Sequence, residues 1–312
     1  MRIAVIGAGL IGQAWAIVFA RGGCEVCLWD ADPAAQTQAV KLIEQLAVTL
    51  QTRGLIADAS AIVSRIATAD SLEDALANVD YVQENLPEKI EIKKEIFSRM
   101  DALTGPDVVL ASSTSSIPAS AFTEALPGRG RCLVAHPVNP PYLIPVVELC
   151  GAPWTHAEII DRAAQIMTEV GQKPVRVNAE VQGFVLNRLQ GALLREAFKL
   201  VQSGCVSVED LDVTVKDGLG LRWSFMGPFE TIDLNAPEGV RDYCARYGDM
   251  YTSIAQQQTS TDAWSEETIA AIEAQRRALL PDDSLLDRRV WRDERLMALM
   301  QHKKQMDDPG CA

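Results

Sequence analysis

The chain has 312 residues, 48% of them hydrophobic, which suggests about two domains of roughly 150 residues with sizeable cores. A formal charge of −13 and a pI near 4.8 argue against nucleic acid or an anionic membrane surface as the main partner, since both select basic patches. Seven cysteines, at 24, 27, 132, 150, 205, 244 and 311, lie mostly in apolar runs; the chain opens directly on a strand, and no apolar stretch is long enough to span a bilayer, so a reduced cytoplasmic protein is expected.

From residue 2 to about 178, short apolar runs alternate with amphipathic ones, the pattern of a mostly parallel sheet covered by helices. The strands read 2–6, 25–29, 65–68, 81–85, 108–112, 132–136, 146–150 and 174–177, with a helical insert over about 33–63 that divides into two helices. Ser71-x-x-Asp74 and Thr155-x-x-Glu158 read as helix caps, and Gly171 as a stop. After about 183 the strand signal disappears. Residues 184–203 form an apolar-striped helix, Ser207-x-x-Asp210 caps another, and the rest is helical to 304, with breaks expected at 218–228, 235–239 and 281.

Directly after the first strand stands Gly7-x-Gly9-x-x-Gly12, where a tight turn, close approach to a pyrophosphate and tight helix packing each require a missing side chain. Leu10 and Ile11 lie between the last two glycines, where the helix N-terminus faces the phosphates. Asp30 ends the second strand, where its carboxylate can accept hydrogen bonds from the adenine ribose and would repel a 2′-phosphate; Ala31, Asp32 and Pro33 follow, with no arginine. A Rossmann-type domain that takes NAD rather than NADP is therefore expected. Cys24-x-x-Cys27 reads as a pair of core cysteines, because the second pair and the nearby histidines that zinc needs are missing.

Ser112-Ser-Thr-Ser-Ser116 follows the fifth strand, so its hydroxyls could reach a substrate oxygen or the nicotinamide amide, or simply cap a helix. The sixth strand ends at His136, ahead of Pro137-Val-Asn-Pro-Pro141. Of three histidines only this one has a strand end to aim it into a crevice; His156 and His302 lie in helix-like polar sequence. Next to a hydride carrier His136 is a candidate general acid/base. Glu148, in the apolar run 146–149, is its expected partner, because a buried carboxylate without one is costly. Such pairing would orient the ring and stabilise the imidazolium.

Taken together, the glycine triplet, Ser-Ser-Thr-Ser-Ser, His136-Pro-Val-Asn139-Pro, Val-Glu148 and Gly183-Phe-Val-Leu-Asn187-Arg-Leu resemble the 3-hydroxyacyl-CoA dehydrogenase family over essentially the whole chain. The resemblance implies His136 and Glu148 as a catalytic dyad, Ser115 and Asn187 near the substrate's oxygens, and Glu88, Lys93 and Asn139 as cofactor contacts. It also implies an α/β Rossmann-type domain over 1–180 and an all-helical substrate and dimerisation domain over 181–312. Apolar positions between Phe184 and Val201 fit a homodimer.

Pro137-Val138, where the acyl-CoA enzymes typically carry two aromatics, together with Gly218-Leu-Gly-Leu-Arg222-Trp-Ser-Phe-Met-Gly-Pro and Trp291-Arg-Asp-Glu-Arg, resembles a narrower branch. That branch, of the L-gulonate 3-dehydrogenases with lambda-crystallin and, more distantly, L-carnitine dehydrogenase, implies a small hydroxy acid as substrate. Arg222 is the candidate cation for its carboxylate, since a guanidinium binds one bidentately. Residues 34–65 offer only Lys41, Arg53 and Arg65, which leans away from a phosphorylated CoA handle.

Overall fold

The computed structural model describes residues 1–259 and 264–306; Cys311 falls outside them. Eight strands form one sheet: β1 (Arg2–Ile6), β2 (Glu25–Trp29), β3 (Ile66–Thr68), β4 (Tyr81–Glu84), β5 (Val109–Ser112), β6 (Cys132–Pro137), β7 (Val146–Gly151) and β8 (Lys173–Val177). Their spatial order is β3-β2-β1-β4-β5-β6-β7-β8, parallel throughout except between β6 and β7. The order reverses between β1 and β4, and in such a sheet a crevice opens there, outside the strands' carboxyl ends.

The centre of the sheet is buried on both faces, so its strands read as continuous apolar runs. Successive residues still point to opposite sides. Ile3 and Val5 join one core with Trp15, Phe19, Ile43 and Leu50, while Ala4 and Ile6 join another with Val82, Leu110, Phe97 and Phe122. The first core is covered by α1 (Leu10–Arg21), α2 (Pro33–Thr52), α3 (Ala59–Val63) and a later helix, Ala157–Glu169; the second by α4 (Leu72–Leu76), α5 (Ile90–Leu103) and α6 (Ser120–Thr123). Cys24 and Cys27 are both buried.

Ser71 and Ser207 cap their helices as expected, each accepting from the backbone N–H three residues on. Thr155 does not. The helix α7 (Ala157–Glu169) starts after His156 without a side-chain cap, and the Thr155 hydroxyl donates to the Cys132 carbonyl at 2.7 Å while accepting from Ala152 N–H at 2.9 Å. A strand carbonyl brought alongside by the fold competes successfully for a hydroxyl that local sequence offers to the helix. The glycines at 218 and 220 do not break the chain either. It stays helical through a π-helical turn (Thr214–Leu219) into Gly220–Trp223.

The chain divides into two compact units: Met1–Arg188 with the segment from Val290 onward, and Leu189–Arg289. The last segment thus belongs with the sheet rather than with the helical half in which the sequence placed it: Met297 is buried in the first core, with Leu296 packed beside it. Arg53, the residue that caps the C-terminus of α2, and Glu294 form an ion pair at 2.5 Å within this first unit. The second unit is helical. It holds most of α8 (Leu186–Gln202), then α9 (Val208–Val213), α10 (Gly220–Trp223), α11 (Pro228–Leu234), α12 (Val240–Gln257) and α13 (Glu266–Leu279). Among the described residues no helix is long and apolar enough to cross a membrane.

Candidate active site

The glycine-rich turn is built by close approach. A Cβ on Gly12 would meet the Gly7 carbonyl oxygen at 1.8 Å, which locks the start of α1 against the end of β1. At Gly9 the demand is different, because a Cβ there would meet nothing within 4 Å: the space is open to a ligand rather than filled by protein. Gly9 is also the N-cap of α1 and makes no side-chain cap hydrogen bond, so the first-turn amides near Leu10 and Ile11 remain available to an anion. Asp30, at the end of β2, accepts from Ala8 N–H at 2.8 Å and from Asp32 N–H at 3.0 Å, which ties the turn to the neighbouring strand. Open space, free amides and a carboxylate one strand away fit an NAD-type dinucleotide.

Behind this turn lies a polar network that no local sequence motif announces. The Ser113 hydroxyl accepts from Trp15 Nε1 at 3.0 Å and from Gln83 Nε2 at 2.7 Å, and donates to Asn85 Oδ1 at 2.7 Å. Gln83 also accepts from the Tyr81 hydroxyl at 2.7 Å. Beside it, Glu84 pairs with Lys93 at 3.0 Å and accepts from the Ser112 hydroxyl at 2.5 Å, all three side chains being buried. Register explains the second contact, since Glu84 and Ser112 are direct partners in the β4–β5 ladder. A signal was available: polar Gln83 and Glu84 end an otherwise apolar strand at the switch point.

Lys93 is therefore sealed at 1% exposure by Glu84, with Glu88 farther off at 3.7 Å, and bears on the cofactor side only through neighbours. Glu88 itself organises the serine-rich loop. Its Oε1 accepts from the hydroxyls of Thr114 and Ser116 and from the amides of Ser115 and Ser116, at 2.6–3.1 Å. Burial alone would raise this carboxyl, but the Thr114 hydrogen bond, Lys93 and Ser116 outweigh it and hold Glu88 below the usual carboxylate range. Ser115 is exposed at the tip, and Asn187 Nδ2 donates to its carbonyl at 3.0 Å.

His136 and Glu148 stand directly opposite in the antiparallel β6–β7 ladder, which puts Nδ1 2.9 Å from Oε2 with both residues buried. A carboxylate can only accept, so with Glu148 ionised the bond is donated by Nδ1–H, and in the neutral ring of that tautomer Nε2 keeps its lone pair. Nε2 has no protein hydrogen-bond partner among the described residues, and it is not one of their sealed unsatisfied atoms, so it is open to a ligand or solvent. The second oxygen of Glu148 is also used, accepting from the amides of Val185 at 2.8 Å and Leu186 at 2.9 Å. Asn139 is exposed three residues beyond His136. The first unit thus brings together the glycine turn with Asp30, Glu88 with Ser115 and Asn187, and His136 with Glu148. Arg222 lies exposed on α10 of the second unit. Among the described residues no three His, Cys, Asp or Glu side chains gather as a metal site.

Comparison with known proteins assigns both parts. Residues 2–181 match the model of the 3-hydroxyacyl-CoA dehydrogenase NAD binding domain, and 183–272 that of the same family's C-terminal domain. The chain is 40% identical to lambda-crystallin of Oryctolagus cuniculus over 309 residues, 97% of each protein. It is 42% identical to L-carnitine dehydrogenase of Streptomyces coelicolor over 238 residues, 76% of this chain and 74% of the relative. Among solved structures it resembles the NAD⁺-dependent dismutase 5-formyl-3-hydroxy-2-methylpyridine 4-carboxylic acid 5-dehydrogenase, with a TM-score of 0.74 at 30% identity, covering 92% of this chain and 98% of that one.

Proposed function

The chain belongs to the 3-hydroxyacyl-CoA dehydrogenase family and is an NAD-dependent dehydrogenase acting on a hydroxyl group; we propose that it oxidises the 3-hydroxyl of a small hydroxy acid, with L-gulonate giving 3-dehydro-L-gulonate. The observation that carries this reading is the His136–Glu148 pair at 2.9 Å with Nε2 unengaged. Bound NAD supplies the hydride acceptor. His136 Nε2 takes the hydroxyl proton, and Glu148, held by two amides, fixes the tautomer and balances the imidazolium. Ser115 and Asn187 orient the substrate's oxygens. Gly7, Gly9, Leu10, Ile11, Gly12 and Asp30 hold the dinucleotide, with Asn139 and the Glu88–Lys93 side beyond them. Arg222 supplies the cation for the carboxylate.

A small acid is supported by the kinship with lambda-crystallin across the whole length, and by the helical insert. Of the three cations over 34–65, two are engaged: Arg53 with Glu294, and Arg65 with the carbonyls of Ala20 and Ala61. Little positive charge is left for a CoA phosphate. L-Carnitine is a second reading, favoured by the 42% identity to its dehydrogenase. Exposed apolar side chains on the second unit support a homodimer formed through that unit, and cysteines lying mostly in apolar runs fit a cytoplasmic setting.

Purified protein with NAD, followed for NADH formation against L-gulonate, L-carnitine, 3-hydroxybutyrate and 3-hydroxybutyryl-CoA in parallel, tests the assignment. Gulonate is expected to turn over fastest. Preference for the CoA thioester would replace the small-acid reading, and no turnover of any would leave a structural role for the fold.

A further inference from the structure

Four consecutive residues at the entry to α8, Phe184 to Asn187, touch the dyad and the serine-rich loop. The Phe184 ring lies 5.5 Å from the His136 ring, tilted by 34°, within the usual range for aromatic pairs. Val185 and Leu186 give their amides to Glu148, and Asn187 reaches the Ser115 carbonyl. The backbone that makes this possible is unusual. Gly183 has φ +80° and Phe184 follows at +49°, two left-handed residues in succession. Glycine adopts that conformation without penalty, whereas a bulky side chain resists it. Phe184 is nevertheless held there, 1% exposed and packed in the second core.

Resting on the reading of His136 as the proton acceptor, we propose that Gly183 and Phe184 are positioning residues for the dyad. Their left-handed turn redirects the chain so that two successive amides converge on Glu148 Oε1, which leaves Oε2 to His136 Nδ1. Without it the carboxylate could rotate and share its oxygens differently. The Phe184 ring packs the imidazole so that Nε2 keeps one direction. The left-handed phenylalanine is retained because a right-handed residue at 184 would move either the ring or the amides off the pair, and strained backbone persists where it serves a site.

The test compares Gly183→Val, Gly183→Asn, Phe184→Leu and His136→Ala in the full chain, using kcat and KM on the active substrate, NADH affinity by fluorescence, and hydrogen exchange across 183–188. Gly183→Val should lower kcat by roughly 10–100-fold, the scale of a small misplacement of a reacting group, with NADH affinity unchanged and faster exchange at 185 and 186. Gly183→Asn, which tolerates left-handed backbone, should restore most of both. Phe184→Leu should lower kcat while exchange at 185 and 186 stays slow, because only the ring is lost. Equal behaviour of the valine and asparagine variants, or wild-type kcat in Phe184→Leu, overturns the proposal. If Gly183→Val fails to bind NADH through misfolding, the other two variants still decide. Near-normal turnover by His136→Ala would instead overturn the catalytic reading, whereas its loss alongside wild-type turn variants would sink the positioning role alone.

Discussion

In the first unit Ile3 to Ile6 of β1 are completely buried and large side chains such as Trp15, Phe19 and Phe97 are sealed, while in the second unit Phe225 and Phe229 are 70% and 79% exposed. α8, α10 and α12 contain no fully buried residue at all. The first unit closes its cores by layering helices on both faces of a sheet. The second is a set of helices with apolar faces and no sheet to cover. Each large apolar side chain that passes from water to a packed interface contributes about 1.5–3 kcal/mol, so this surface favours association. The proposed proton transfer lies in the closed unit, where strand register sets His136 opposite Glu148; the exposed apolar faces of the other suit the proposed homodimer.

The sharpest way to break this division is His136→Ala. It should lower kcat by roughly 10²–10⁴-fold with little change in NAD affinity, the usual cost of losing an acid/base; steady-state kinetics with NADH titration would reveal turnover that survives and so misplaces the chemistry. Arg222→Met, in the second unit, should raise KM for the acid by roughly 10–100-fold while NAD binding stays intact, as expected for a lost charge-assisted hydrogen bond. An unchanged KM would confine recognition to the first unit.

Gly12→Ala forces a Cβ against the Gly7 carbonyl and should cost about 1–3 kcal/mol in the packing of the turn, seen as weaker NADH binding in a fluorescence titration. If the second unit's apolar face forms the proposed homodimer, replacing both Phe225 and Phe229 by Asp lowers the mass measured by light scattering to that of one chain, with thermal stability of the monomer little altered because both side chains are exposed. A persistent dimer would move the interface elsewhere.

The smallest effect concerns thiols. Burial pushes Cys132 up to about 12 and Cys150 up to about 11, so both stay protonated near pH 8, and alkylation mapped by mass spectrometry should spare them while modifying exposed Cys205 and Cys244. Raising pH toward those values is expected to open the buried pair to reagent only as thiolate forms. Rapid labelling of Cys132 at pH 8 would mean that the sheet's cover opens more readily than its packing implies.

Much of the nucleotide side was legible because its demands are local. β1, β2 and the insert's helices follow from periodicity, and Gly7, Gly9 and Gly12 from the turn between them. His136 could be matched to Glu148 because one ends an apolar strand and the other lies buried in the next. Glu84 and Lys93 were not read as a pair. Lys93 sits in a plain helical pattern, and only the β4–β5 register and the packing of α5 turn it inward to the carboxylate. Thr155 stands in a local capping pattern yet caps no helix, because a carbonyl 23 residues away claims its hydroxyl.

The family, the alternation of strand and helix and the chemical types at the site are legible in the residue order, because steric demands of a turn and the burial pattern of a strand are written within a few neighbouring residues. Tertiary structure alone decided that the last segment returns to the sheet, that Glu88 gathers the serine loop, and that a left-handed Phe184 aims two amides at Glu148. Those arrangements depend on which distant groups compete for one hydrogen bond or one patch of core, and no local pattern encodes the outcome of that competition.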